Sequence, residues 1–267
     1  MTQVHIDAIG VIGPGLPNWH TAREVLRGKR RPEPRPLPRP DASMLPPNER
    51  RRAAAIVRWA LAAAQEAIGA SHYRAGELAT VFAASCSDGE TLHHLCEALA
   101  SPQREVSPTR FHKSVHNAVA GYWSIAAASQ RPSSSLCGFD ASFAAGLIEA
   151  ASQVLSDRVA VLLVSYDLPY PPPLYAVRPV AEPFAVALVL APETHPGTLA
   201  CCRITMGPEA MTHAPLPAEL QALASNPAAQ SLPLLESIAR ERGDPVRLPY
   251  LPGCQVIVEC SEWRQSA

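Results

Sequence analysis

Histidine and cysteine are the residues of this sequence best suited to metal binding or nucleophilic catalysis. His112 and His116 are four residues apart, so on a helix their side chains share one face and could bind a metal ion together. No carboxylate or cysteine is spaced to complete the ligand set, and His93 and His94 belong to a different element. The seven cysteines contain no Cys-x-x-Cys pair. The pattern favours reduced thiols over a zinc site or a disulfide framework, and we expect no metal and no cofactor.

Two further classes of enzyme motif are not indicated. Gly10, Gly13 and Gly15 lack the spacing and the following helix of a dinucleotide-binding loop, and Pro14 and Pro17 interrupt the segment. These glycines predict instead a tight exit from the first strand. The sequence contains no Gly-x-Ser-x-Gly motif, so nothing indicates a serine hydrolase of the α/β class.

The elements that must position any functional residue alternate between strand and helix. Short apolar runs predict buried strands, and Ala-rich segments predict helices. The predicted strands cover residues 4–11, 80–85, 133–139, 158–165, 183–190 and 254–260, and the predicted helices cover residues 52–70, 90–100, 117–129, 140–155 and 232–241. This alternation is typical of an α/β domain with a largely parallel sheet. Pro and Arg alternate over residues 31–40, which predicts an extended surface loop.

Composition narrows the possible partners and compartments. The formal net charge is -1 and only 18% of residues are charged, so no overall field attracts nucleic acid or an anionic membrane. The longest aliphatic runs are too short to cross a bilayer. The first ten residues lack the basic start and long apolar core of a secretory signal. We therefore expect a cytoplasmic protein with no membrane span and no nucleic-acid partner.

Residues 107–125 carry the most specific pattern, SPTRFHKSVHNAVAGYWSI, followed by Pro132-Ser133 and then by Asp140-Ala141-Ser142. These residues resemble the β-ketoacyl synthases of the thiolase fold. In that family a Ser-Pro start, an Asn, an Ala-Gly pair and a Ser/Thr-Ile pair form the helix before the strand that leads to the nucleophile. The resemblance extends over roughly residues 3–205.

This resemblance implies a layered α/β, thiolase-like fold, essentially its N-terminal half with a reduced C-terminal portion. Residues 1–205 are expected to form the ketosynthase N-terminal-like domain. Residues 206–267 are expected to be an extension that packs on the same domain.

Two departures from the family bear on catalysis. In the family the nucleophile is a cysteine at a helix N-terminus, where the helix dipole and backbone N–H groups favour a thiolate. The resemblance places Asp140 at that position, where a carboxylate cannot hold an acyl thioester and is expected to cap the helix. The family's later half, which supplies two histidines, a lysine and a gating loop, is absent or much reduced. The resemblance therefore implies no catalytic residue in this chain.

Within this family the precedent for such a chain is the chain-length factor, and residues 111–125 resemble the subgroup found in aryl-polyene assembly lines. The resemblance implies a non-catalytic subunit that forms a heterodimer or higher heteromer with an active ketosynthase and meets the acyl carrier protein indirectly. The predicted interface residues are Ser133, Ser134, Ser135, Leu136, Cys137, Gly138, His116 and Asn117. The predicted wall of the acyl tunnel comprises Ser87, Asp88, Leu92, His93, Cys96, Phe111 and His112.

Two other functions stay open. One is a small stand-alone malonyl decarboxylase or acyltransferase that uses Asp140 or Cys137 together with His116. The other is a scaffold that binds the carrier protein and does nothing else. Cys137 lies three residues before Asp140 and is expected to be a buried structural thiol that points away from the helix start.

Overall fold

The computed structural model describes residues 3–33, 37–209 and 217–261. Within these ranges the chain forms one eight-stranded sheet with helices on both faces. The strands are β1 (Gln3–Ile12), β2 (Ala79–Ala83), β3 (Ser133–Leu136), β4 (Val161–Asp167), β5 (Phe184–Ala191), β6 (Ala200–Pro208), β7 (Val246–Leu251) and β8 (Cys254–Ser261). The α-helices are α1 (Trp19–Leu26), α2 (Pro47–Arg52), α3 (Ala55–Ala70), α4 (Gly89–Ala100), α5 (Pro108–Lys113), α6 (Ala118–Ala127), α7 (Ser142–Asp157), α8 (Pro172–Tyr175) and α9 (Leu232–Arg240). Short 3₁₀ helices cover Ala75–Glu77, Phe139–Ala141, Ala218–Leu223 and Pro227–Ser231.

The strand order across the sheet is β3-β2-β4-β5-β1-β6-β8-β7. β2 runs parallel to both of its neighbours, β3 and β4, whereas every other adjacent pair is antiparallel. The prediction of a largely parallel sheet was therefore wrong. Parallel neighbours need a long crossover connection. β4 and β5 are joined by a segment that contains only the four-residue α8, and β7 and β8 form a tight hairpin.

Each face of the sheet packs against its own helical layer. α1, α7 and α9 cover one face, and α3 and α6 cover the other. The Ala-rich surface of α3 allows close contact with β1: a Cβ added at Gly10 would lie 2.1 Å from the backbone oxygen of Ala63. The carboxylate of Glu66 on α3 also links this helix to β1 and to the start of α1. It accepts hydrogen bonds from Val11 N (2.8 Å) and Trp19 N (2.6 Å). Gly13 and Gly15 form the turn after β1, but Gly10 lies inside the strand.

Several predicted boundaries need correction. The helix expected over residues 52–70 divides into α2 and α3, because Ala53 and Ala54 have extended backbone conformations. The strand expected over residues 133–139 ends at Leu136 and leads into a 3₁₀ turn. The Pro/Arg segment contains neither helix nor strand at residues 31–33 and 37–40, as predicted, and residues 34–36 lie outside the described residues.

The end of the chain contributes strands to the same sheet. β6 passes through the predicted division at residues 205 and 206, β8 pairs with β6, and β7 pairs with β8. Residues 210–216 and 262–267 of the predicted extension lie outside the described residues. The division of the chain into a domain and an extension stays a prediction.

The sheet has two open edges among the described residues, at β3 and at β7. β7 contains Pro249, which has no backbone N–H to donate. The edge at β7 is therefore a poorer template for another strand. In the described ranges no helix combines the length and the apolar character needed to cross a membrane.

Candidate functional site

The carboxyl ends of β2, β3 and β4 meet at one end of the sheet, because these strands are parallel neighbours. Ser85 and Cys86 follow β2, Cys137 follows β3, and Asp167 is the last residue of β4. The chain therefore gathers polar and thiol-bearing side chains at this end of the sheet. In open α/β sheets, ligands typically bind beyond the carboxyl ends of the strands.

The carboxylate of Asp167 is the most buried acidic group at this end of the sheet, at 1% exposure. Its Oδ1 accepts hydrogen bonds from Ser85 N (3.0 Å) and Ser85 Oγ (2.5 Å). Burial raises the pKa of Asp167 to about 7, against the opposing effects of the Ser85 hydrogen bonds and the nearby Arg178 charge. Asp167 therefore carries a proton over much of the acidic range, in which an exposed aspartate is ionised.

Tyr170 and Cys86 lie beside Asp167 and Ser85, and these four residues form a polar cluster. Neither Tyr170 nor Cys86 is an activated nucleophile. The Tyr170 hydroxyl is hydrogen-bonded to Ser85 Oγ, and burial raises the pKa of Tyr170 to about 12. Burial, followed by the effect of the Asp167 charge, also raises the pKa of the Cys86 thiol. A thiol must ionise to become a strong nucleophile, so its surroundings make Cys86 less reactive.

Cys137 differs from the expected buried thiol, because its side chain is exposed. It follows the last residue of the edge strand β3, where no further layer covers it in the chain alone. Its Sγ donates a hydrogen bond to the backbone oxygen of Ser85 at 3.0 Å. The prediction of a buried structural thiol was wrong, and Cys137 instead lies at the surface beside the polar cluster.

The corner between β3 and α7 lies at Phe139, which has a φ of 55°. This left-handed conformation is unusual for a residue with a bulky side chain. Asp140 comes next, inside the 3₁₀ turn, and it does not cap α7 as predicted. Ser142 makes the local contacts instead, accepting from Gly138 N (3.1 Å) and donating to Phe139 O (2.7 Å).

Arg178 occupies the corner together with Asp140. Its guanidinium forms an ion pair with the Asp140 carboxylate and lies 3.8 Å from the centre of the Phe139 ring and 5.5 Å from that of Tyr170. The Arg178 side chain is only 18% exposed, whereas that of Asp140 is 63% exposed. A cavity of about 390 Å³ adjoins these residues, and the segment with Pro227 and Gln230 lines its other side. The corner thus presents a neutralised carboxylate and an aromatic ring, and neither can form a thioester.

The predicted interface strand lies at the edge of the sheet. Thr80 N donates to Pro132 O, and Ala84 N donates to Leu136 O. In a parallel ladder with this register, the backbone groups of Ser133 and Ser135 point away from β2. The Ser134 side chain faces the opposite way to those of its neighbours and bonds to Glu149 on α7 (3.2 Å). The backbone donors and acceptors of Ser133 and Ser135 are therefore left without a strand partner among the described residues, along the open edge.

The predicted tunnel-wall residues lie on or beside α4 and α5 and are largely open to solvent. Leu92 is 45% exposed and Phe111 65%, and Cys96 and His112 are also exposed. Ser87, Asp88 and His93 are half-buried, and Asp88 caps α4 by accepting from Thr91 N. In the chain alone these residues form an outer surface and do not enclose a tunnel.

A groove of about 590 Å³ lies next to these residues, between α5 and α6. It is lined by residues that include His112, Asn117 and Ile125. Apolar residues such as Ile125 share this lining with charged ones such as Arg52, and Phe111 directly precedes His112 in the chain.

His116, in the α5–α6 connection, does not line this groove. It lines a narrow cleft together with Ser87, Asp88 and Tyr166. Its Nε2 is buried and has no hydrogen-bond partner among the described residues. Neither Cys137 nor Asp140 lines this cleft, so the cleft does not bring His116 together with either residue that a stand-alone enzyme would use with it.

Comparison with known proteins identifies the family. The profile of the β-ketoacyl synthase N-terminal domain matches residues 19–246, which is most of the chain. The chain therefore belongs to the β-ketoacyl synthase N-terminal-domain family, and its layered α/β architecture is thiolase-like. A search of curated protein sequences finds no match.

Solved structures share this fold over nearly the whole chain. A chain in the complex of the ketosynthase ApeO with its chain length factor ApeC, from Xenorhabdus doucetiae, is 23% identical with a TM-score of 0.73, covering 97% of this chain and 100% of that chain. A chain of the ishigamide ketosynthase/chain length factor is 12% identical with a TM-score of 0.70, covering 97% and 99%. A β-ketoacyl synthase from Burkholderia phymatum STM815 is 12% identical with a TM-score of 0.62, covering 91% of this chain and 71% of that one. At these identities the similarity shows a common fold.

Sequence reasoning missed Asp167, Tyr170 and Arg178. Asp167 ends the apolar run VLLVSYD, and a carboxylate at the end of a buried strand was the available signal. Arg178 offered no such signal, because its partner Asp140 lies 38 residues earlier in the chain.

Proposed function

We propose that this chain is a non-catalytic subunit of the chain-length-factor type. It forms a heterodimer with an active β-ketoacyl-acyl carrier protein synthase and shapes that enzyme's acyl tunnel in the biosynthesis of an aryl-polyene-like product. The partner carries out acyl transfer, malonyl decarboxylation and condensation, and it receives the acyl carrier protein.

The chemistry of the β3–α7 corner supports the non-catalytic part of this proposal. Acyl transfer needs a nucleophile that can form and release a thioester, held where backbone N–H groups stabilise the oxyanion. Here Asp140 is paired with Arg178, and Phe139 lies beneath the guanidinium. Neither the Asp140 carboxylate nor the Phe139 ring can form a thioester with an acyl group.

The open edge of β3 is the observation that carries the partner role. An unpaired strand edge is a template for another strand, and natural proteins usually cover or protect it. β7, at the other edge, contains Pro249, but β3 is the uninterrupted serine-rich run Ser133–Leu136. Exposed Ile125 on α6 and Val115 in the α5–α6 connection add apolar area that a partner could bury.

Ser135 allows this interface to be tested without disturbing the fold. Its backbone N–H points away from β2, so Ser135→Pro removes an outward donor and keeps the ladder with β2. We expect the wild-type chain, co-expressed with an active ketosynthase, to co-purify at the native mass of a heteromer. Ser135→Pro should weaken this association at least about tenfold.

The matched control is Ser135→Ala, which alters the same side chain but keeps the backbone donor. It should co-purify like the wild type, and circular dichroism should show that both variants are folded. Equal co-purification of the proline and alanine variants would exclude β3 as the interface. A stable chain that associates with no ketosynthase would contradict the whole proposal.

The exposure of Cys137 favours one alternative, a small enzyme that acts on malonyl-loaded carrier protein. That alternative predicts turnover by the isolated chain, with loss of activity in Cys137→Ser or Asp140→Ala. Our proposal predicts no turnover above the uncatalysed rate for the chain alone. Carbon dioxide release from malonyl carrier protein distinguishes the two.

A further inference from the structure

Two buried cysteines lie side by side far from the β3 edge. Cys202 on β6 and Cys260 on β8 are directly opposite each other in the antiparallel pair. Their Sγ atoms are 2.7 Å apart, and both residues are at most 2% exposed. A disulfide bond is roughly 2.05 Å long, so the sulfurs need to approach by only about 0.7 Å.

The strand geometry suits a covalent bond between these residues. Opposed residues of an antiparallel pair have Cα atoms about 4.5–5.5 Å apart, which is within the range found in disulfides. Cys202 and Cys260 both face the core cluster beneath α9, so their Cβ atoms lie on the same face of the sheet. Their neighbour Cys201 is also buried, but it points to the opposite face.

We propose that Cys202 and Cys260 form a redox modification site at which a small peroxide oxidant produces a cross-strand disulfide. One thiol is oxidised by hydrogen peroxide to a sulfenic acid, and one water is released. The second thiol then attacks that sulfur, forming the S–S bond and releasing a second water. Two thiols and one peroxide thus give one disulfide and two waters.

The surroundings of the pair determine how fast this reaction runs. The hydrogen bond with Cys260, followed by burial, raises the pKa of Cys202, so little reactive thiolate is present in the closed structure. Oxidation therefore depends on transient opening at the end of β8. We expect the rate to rise steeply as the temperature approaches the unfolding midpoint.

The disulfide between Cys202 and Cys260 would link the β7–β8 hairpin covalently to β6. Among the described strands, β7 and β8 join the rest of the sheet only through the pairing of β8 with β6. The two cysteines are 58 residues apart, so a link between them restricts a long loop of the unfolded chain. On the loop-entropy account, the oxidised chain should unfold about 5–10 °C higher than the reduced chain.

The test treats the full chain with hydrogen peroxide, alkylates the remaining thiols after unfolding, and maps the peptides by mass. We expect a linked pair of peptides that contain Cys202 and Cys260, lighter by two hydrogens than the reduced pair. Cys202→Ser and Cys260→Ser should each abolish this species and the rise in the unfolding midpoint. Cys201→Ser is the matched control, because it removes an adjacent buried thiol. This variant should still form the linked peptides and still show the rise in the unfolding midpoint.

Full alkylation of Cys202 and Cys260 after peroxide treatment, even a few degrees below the unfolding midpoint, would overturn the proposal. A linked pair without a rise in the midpoint would overturn the stabilising role. Neither result depends on the partner assigned above, because the experiment uses the isolated chain.

Discussion

Asp167 is the residue at which burial has the clearest measurable consequence. Its carboxyl lies beneath Ser85 and Tyr170 at the end of β4, and burial raises its pKa to about 7. Its Oδ2 is buried without a hydrogen-bond partner among the described residues. In the unfolded chain the same group titrates near its ordinary pKa of 3.8.

The pH dependence of stability follows from this difference. Between about pH 4 and pH 7 the folded state holds a proton on Asp167 that the unfolded state has lost, so the free energy of unfolding falls as the pH rises through this window. The contribution of Asp167 is at most about 1.4 kcal/mol per pH unit. Asp167→Asn removes it, so urea unfolding at pH 4.5, 5.5 and 6.5 should show the variant gaining stability relative to the wild type as the pH rises.

Asp244→Asn provides the control, because Asp244 is an exposed aspartate in the loop before β7. This variant should keep the wild-type pH dependence. A constant difference in stability between Asp167→Asn and the wild type across the three pH values would show that Asp167 is ionised in the folded state, contrary to the expectation.

At the scale of secondary-structure elements, the contact between α3 and β1 tolerates no added atom. Gly10 lies in β1 under the middle of α3, and an added Cβ would meet the backbone of Ala63 at 2.1 Å and of Ala67 at 2.8 Å. Backbone atoms cannot move aside as a flexible side chain can. The two elements would have to separate, which would disturb the packing of the helical layer on the sheet.

Gly10→Ala should therefore lower the free energy of unfolding by about 3 kcal/mol or more. Gly69→Ala, near the end of α3, is the matched control, since an added Cβ there meets nothing within 4 Å. Alanine has a higher helix propensity than glycine, so Gly69→Ala should raise the free energy of unfolding by about 0.5–1 kcal/mol. Chemical denaturation of both variants measures the difference, and a Gly10→Ala chain as stable as Gly69→Ala would contradict the close approach.

The elements that could be predicted from the sequence are those with a single dominant pattern. β4 and β5 are buried along their whole length, so their apolar runs identify them. β6 and β7 were missed: β6 carries exposed residues from Arg203 onward, and β7 contains Pro249. Strand direction was also mispredicted, because it depends on tertiary connections.

In the candidate site, too, the sequence predicts only what a local pattern determines. The position of Asp140 at the start of the helical segment could be predicted from the local pattern, but its role could not. Arg178 reaches Asp140 from a loop after α8, and Asp167 becomes buried only when β2 and β4 pair. Contacts between distant residues decide which carboxylate is paired, which is protonated, and which thiol is exposed.

At the scale of the whole molecule, the surface around α5 is the region most consistent with burial by a partner. Phe111 is 65% exposed on a helix of only six residues. A groove of about 590 Å³ runs beside it, with Tyr122 and Ile125 of α6 in its lining. Large apolar side chains around a groove on a monomer typically mark an interaction or ligand surface. In the proposed heterodimer this surface becomes the far wall of the acyl tunnel.

Phe111→Ala should therefore change the product and leave the assembly intact. Removal of the ring enlarges the space available to the growing acyl chain, so a reconstituted complex should release products longer by at least one extension unit. Mass spectrometry of the products from an active ketosynthase, its carrier protein and this chain measures the shift.

Leu251→Ala is the matched control for this prediction. Leu251 is also a large exposed apolar residue, at 57%, but it lies on β7 at the edge of the sheet opposite β3. A change in product length shared by both variants would point to a general loosening of the subunit. An unchanged length with Phe111→Ala, in a complex that still assembles, would remove Phe111 from the tunnel wall and leave β3 pairing as the contribution of this chain.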